Sequence, residues 1–258
     1  PVGVMRMVMN LIESLFRWIH VLAGIVWIGH LYFFNWVNSQ FEPTLDAETK
    51  KKVIPELRPR ALYWFRWGAA FTWITGVLLL MIVFYHLGTL QLTGSTEWGI
   101  GAIILIIVTF VAVFLYDYLA KVITDAQTQF WAGVIAAAVF VLLAEFVGGF
   151  SFRATSIHLG AMFGSAMAFN VWFRIWPAQQ KIITAIKNGE APEPTLAPLA
   201  GLRSKHNTYM SVPLVFMMLN AHNQWAASAP LILLPLMVLV GFYGTYHLYN
   251  HAPKVKGF

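Results

Sequence analysis

The sequence predicts an all-α fold, a polytopic transmembrane helix bundle of about seven spans with its N-terminus outside and its C-terminus in the cytoplasm. Three observations predict it. The 258 residues are 59% hydrophobic and only 11% charged, where soluble domains run at about 45–50% and about 25%. The apolar residues gather into runs of helix length. The basic residues fall almost wholly on one side of those runs.

A bilayer core of about 30 Å takes about 20 residues of helix, because lipid offers no partner to backbone N–H and C=O groups. The first span, 11–37, contains Glu13, Arg17, His20 and His30. It is too long for a cleavable signal and lacks a small-residue cleavage site. Runs 61–87 and 98–119 follow, the first ending beside His86. Run 130–150 carries Glu145, for which Arg17 is the expected partner. Run 154–176 holds His158 beside Gly160 and Gly164, small residues that let another helix or a flat macrocycle approach. Run 207–225 is the weakest, firmly apolar only over 210–219 and interrupted by Pro213, so a kinked or tilted helix is expected. Run 229–249 completes the set.

Short cytoplasmic connections collect Lys and Arg. Of the 17 basic residues, 14 lie on the side reached after spans one, three, five and seven, leaving Arg6, Arg17 and Arg153 on the other. That split places residues 41–60 and 178–205 in the cytoplasm as connections within a single transmembrane domain, 1–258. Residues 41–60, with three prolines, read as a short helical hairpin or cap. Residues 178–188 place Ile182, Ile183 and Ile186 on one helical face suited to the lipid interface, and 189–201 reads as a Pro-rich linker. The setting expected is a bacterial inner (cytoplasmic) membrane, with lipid as the first partner. No long basic tract or aromatic-interleaved basic face offers itself to nucleic acid. With no cysteine, disulfides, thiolate metal sites, iron–sulfur clusters and covalent c-type haem attachment are excluded.

The histidines carry the functional signal. By depth, His20, His86, His158 and His222 fall toward the outer face, and His30, His206, His247 and His251 toward the cytoplasm. Ionisable groups inside a membrane are costly and usually face a bundle interior or cavity. Neutral imidazole supplies a nitrogen lone pair to iron, and helices at matched depth can offer two imidazoles to one porphyrin. One or two b-type haems are therefore expected. His20 is the leading ligand, with His158 and His222 as opposing metal ligands and His86 next; His30 and His247 form a weaker second pair. His20 and His30, about 15 Å apart along a helix, cannot share one iron. Arg17 and Arg153 are placed to pair with propionates. Asp117 and Asp125 flank a short loop and read as solvated.

Two stretches resemble a known family. Residues 17–38, RWIHVLAGIVWIGHLYFFNWVN, and 205–222, KHNTYMSVPLVFMMLNAH, are similar to the membrane (N-terminal) domain of the cytochrome c linked urate oxidases. The resemblance implies a polytopic protein in which electrons from urate oxidation reach a C-terminal cytochrome c domain. Here no cysteine can carry that c-type haem, and the seventh span would leave the C-terminus in the cytoplasm. The expected function is thus a membrane redox protein that binds b-type haem and passes electrons to or from a separate cytochrome c, with urate oxidation one reading of its chemistry and its substrate left open. The alternative is an accessory or structural electron-transfer subunit of a larger respiratory or photosynthetic complex. A channel or transporter ranks third, because only the sixth span is visibly interrupted.

Overall fold

Backbone groups that find no water must bond along their own segment, so the apolar runs become helices. A computed structural model describes residues 2–86, 93, 97–220 and 222–256, all-helical and without a strand among them. In chain order the principal helices are α1 (Val2–Tyr32), α2 (Ala47–Leu80), α3 (Ile100–Val122), α4 (Ala126–Phe146), α5 (Phe152–Asn170), α6 (Trp176–Lys187), α7 (Leu196–Asn220) and α8 (Leu233–His251). A helix fills the greater part of each apolar run; Leu87, the end of the second, lies outside the described residues. The stretches beginning at Gly3, Ala47, Ile100 and Ala126 are each long and apolar enough to cross a membrane.

Two elements differ from expectation. Residues 47–60 are no hairpin but the first turns of α2, which runs unbroken through Pro55 and Pro59. Asp46 caps the helix by accepting the Thr49 amide at 2.9 Å. The prolines stand four residues apart, so both missing N–H bonds fall on one side of the helix. The apolar face of α6 meets protein rather than lipid: Ile182 packs with Ala178 against Leu196 and Ala200 at the start of α7. That helical start replaces the later part of the expected linker.

Helix α5 forms the centre, touching α2, α3, α4 and α7, while α1 lies along α2 and α8 lies against α7 and α4. Small residues Ala154, Ser156, Gly160 and Ser165 suit α5 to this position. Sheathed by other helices, it can carry His158, Ser156 and Asn170, all fully buried. By contrast α1 is mostly uncovered, only 11% of its most apolar window being buried. Of the two glycines expected to remove bulk, Gly160 does so, a Cβ there meeting Met218 Cε at 2.9 Å, whereas at Gly164 a Cβ would make only an ordinary contact, 3.5 Å from Leu214 Cδ1.

Candidate functional site

Among the described residues three helices widen into π-type turns, over Phe33–Asn38, Met81–His86 and Val171–Ile175. Such turns rotate side chains out of the regular register and often mark functional positions. Here Asn35 meets Ser204 and Tyr249, Tyr85 meets His158, and Arg174 meets Asp117.

His20 projects from α1 onto α2. Its Nδ1 lies 2.9 Å from the Thr72 carbonyl and 3.2 Å from Thr75 Oγ1. A ring nitrogen facing a carbonyl carries the hydrogen, so in the neutral ring Nε2 keeps the lone pair. Gly76 makes room, since a Cβ there would stand 3.0 Å from His20 Cε1. His30 repeats the pattern, its Nδ1 donating to the Val26 carbonyl at 2.7 Å.

His158, fully buried on α5, is held at both nitrogens. Nδ1 donates to the Ala154 carbonyl at 2.7 Å, and the Tyr85 hydroxyl donates to Nε2 at 2.8 Å. The rings of Phe84, Tyr85 and Phe150 surround it, Phe150 nearest with centroids 4.8 Å apart. His222 is exposed after α7 and accepts from Arg17 Nη1 at 3.2 Å, while Arg17 also pairs with Glu13 at 2.7 Å. Glu145, the expected partner of Arg17, is exposed elsewhere. Arg153 donates to the Asn223 carbonyl at 3.1 Å. So Arg17 and His222 come together as a polar corner, with Arg153 tying the adjacent loop to α5.

His20, His158 and His222 thus have separate partners, and no group of three or more His, Asp or Glu able to hold a metal occurs among the described residues. His86 is exposed at the end of its π-type turn. His247 is exposed against the Tyr243 ring, 4.4 Å between centroids, and makes no recorded contact with His30 among the described residues.

One polar centre escaped the sequence. Asp117, read as solvated, is buried and receives Arg174 at 2.5 Å, Lys121 at 2.7 Å and Arg203 at 2.8 Å. Arg203 is wholly buried and also donates to the Asp117 carbonyl at 3.2 Å. Beside it the Gln129 amide donates to the Ile123 carbonyl at 2.6 Å, which turns Oε1 toward His206 Nε2 at 3.1 Å. That nitrogen therefore donates, and His206 Nδ1 accepts from the Tyr116 hydroxyl at 3.0 Å. Asn170 donates to the Tyr116 oxygen at 2.7 Å and to Asn207 at 2.8 Å. The available signal was Asp117 inside an apolar run, a carboxylate at membrane depth that needs cations. Asp125 is solvated as expected and caps α4 through Thr128.

The bundle therefore offers two imidazoles on α1 whose Nε2 has no hydrogen-bond partner among the described residues, two Tyr–His pairs, an arginine–histidine corner and a buried acid–base centre. No curated protein and no solved structure matches the chain. The family model described as urate oxidase N-terminal matches residues 6–53 and 45–256. These matches span most of the helical bundle, and the chain belongs to the urate oxidase N-terminal family.

Proposed function

We propose that the protein is a membrane-embedded redox protein of the bacterial inner membrane that carries b-type haem and exchanges electrons with a separate cytochrome c. The observation behind this reading is His20: its Nδ1 is committed to the Thr72 carbonyl, and Nε2, with no hydrogen-bond partner among the described residues, keeps the lone pair that binds iron. Hydrogen bonding of the second ring nitrogen to a carbonyl is the usual way a ligating histidine is oriented and made more basic. The donor chemistry fits haem iron, and Arg17, one helical turn before His20, fits a propionate. Bound there, haem would supply one-electron transfer. The protein's own part is to fix the His20 ring through Thr72 and Thr75, to leave it space at Gly76, and to hold positive charge at Arg17. His30 fits a second haem by the same criterion. His158 and His222 already spend their acceptor nitrogens on Tyr85 and Arg17, which favours His20 over them. The Arg17–His222 corner, with Arg153 nearby, suits an anionic small molecule of the urate type as electron donor.

An oxidised and a dithionite-reduced optical spectrum of the purified protein test the reading, with iron analysis. A sharp reduced alpha band, extractable haem, and loss of both in His20→Ala but not in His86→Ala are expected. Colourless, iron-free protein from haem-replete cells overturns it. Haem reduction by added urate with cytochrome c present identifies the enzyme; its failure favours the accessory subunit.

A further inference from the structure

We propose that Tyr85 is a redox-active tyrosine whose oxidation is coupled to proton transfer to His158. The inference rests on the redox reading above but on different residues. The Tyr85 hydroxyl lies 2.8 Å from His158 Nε2. The Ala154 carbonyl takes the Nδ1 hydrogen, which fixes the tautomer so that Nε2 is the acceptor. Among the described residues the base within hydrogen-bond reach of the Tyr85 hydroxyl is the His158 imidazole, itself fully buried.

A phenol that loses an electron becomes a strong acid, and a base already hydrogen-bonded to it takes the proton without rearrangement. The step balances as follows. One electron leaves Tyr85 for a high-potential one-electron oxidant, an oxidised metal centre or pigment radical. The Tyr85 O–H bond breaks and an N–H bond forms at His158 Nε2, giving a neutral phenoxyl radical beside an imidazolium. Return of one electron from a donor and of the proton from His158 restores the pair. The new imidazolium keeps its Nδ1 bond to the Ala154 carbonyl, which offsets part of the cost of charging a fully buried ring. Trp98, edge-on to Tyr85 with centroids 5.6 Å apart, is the next oxidisable ring.

A second pair, Tyr116 and His206, has the same connectivity, with the hydroxyl 3.0 Å from Nδ1. Its surroundings select against it. The Tyr116 ring lies 5.4 Å from the Arg203 guanidinium, in a centre where three cations share the single Asp117 carboxylate. Oxidation adds one positive charge to a pair, and like charge at that separation opposes it. The Tyr85 pair has Phe84, Phe150 and Trp98 around it instead.

The test uses the whole protein and photogenerated tris(bipyridine)ruthenium(III) as oxidant, so it runs whether or not haem is bound. With the exposed Tyr63, Tyr118, Tyr243 and Tyr246 replaced by Phe, electron paramagnetic resonance after a flash should show a tyrosyl radical that falls to background in Tyr85→Phe and persists in Tyr116→Phe. General-base assistance is typically worth about 10²–10⁴-fold, so His158→Gln should slow radical formation by about 100-fold. Fluorotyrosine placed at position 85 should change the hyperfine pattern of the radical, a readout independent of any folding defect in the variants. An unchanged radical yield in Tyr85→Phe, or a hyperfine pattern indifferent to fluorination at 85, overturns the proposal. Absence of haem with a Tyr85-dependent radical would sink the haem reading alone.

Discussion

Gly68 meets the backbone of Trp27: a Cβ on Gly68 would stand 3.0 Å from the Trp27 amide nitrogen and 3.2 Å from its Cα. No side-chain rotation relieves such a contact, because the obstruction is the main chain of α1. Gly68→Ala must push α1 away from α2 and is expected to destabilise by about 1–3 kcal/mol. Gly29, with nothing near its missing Cβ, should gain up to about 1 kcal/mol of helix propensity as Ala. Thermal unfolding of the two variants in detergent separates them; equal melting temperatures would contradict the close approach.

Asp117 holds three cations of unequal burial: the Arg203 side chain is 1% exposed and that of Lys121 55%. Removing one partner of a buried pair costs about 3–5 kcal/mol because it strands the other charge. Asp117→Ala and Arg203→Ala should each cost that much, and the double variant clearly less than their sum. Lys121→Ala should cost under about 1 kcal/mol. Denaturation of the four variants measures all of this, and additivity of the two large effects would show that the residues act apart.

Asp46 and Asp125 cap α2 and α4, and hydrogen bonds first from the Thr49 and Thr128 hydroxyls, then from their amides, hold both carboxyls below the usual carboxylate range. A lowered folded-state value means the ionised cap stabilises fully above the unfolded pKa of about 4. That stabilisation is lost as pH falls through the lower folded value. Amide exchange at Thr49 and Thr128, corrected for intrinsic rates, should show constant protection down to about pH 4 and less below. Asp46→Asn and Asp125→Asn, neutral caps, should abolish the dependence. Persistence of the acid loss in those variants would assign it to other groups.

The proposed orientation follows from 14 of the 17 basic residues lying on one side. An alkaline phosphatase fused after residue 256 should be inactive, and a green fluorescent protein there bright. The reverse pattern would invert the bundle and move the Arg17–His222 corner to the cytoplasm.

Helix existence was legible because each apolar run must satisfy its own backbone in lipid, whatever it packs against. Boundaries were less so. Pro55 and Pro59 read as breakers, although Asp46 three residues before Thr49 already signalled the start of α2. The depth of each histidine could be counted along its helix, but its partner depends on rotation and on neighbours distant in the chain. Tyr85 and His158 stand 73 residues apart, and Asp117 and Arg174 57. The local pattern around Asp117 shows a carboxylate inside an apolar run but not which cations meet it, because Arg174 and Arg203 follow 57 and 86 residues later. The expected Arg17–Glu145 pair failed for the opposite reason, since Glu13, one turn away, is the closer acid.

The partners of Asp117 also arrive in a fixed order during synthesis. Lys121 follows within one helical turn, whereas Arg174 comes 57 residues later and Arg203 86. At about 5–20 residues per second, roughly 4–17 s separate translation of the carboxylate from that of its most buried cation. Through that interval Lys121 is the one of its three partners already made, so the partner that adds least to the finished fold is expected to matter most while α3 inserts. Lys121→Ala should therefore lower the amount of protein reaching the membrane more than it lowers the stability of the protein that does.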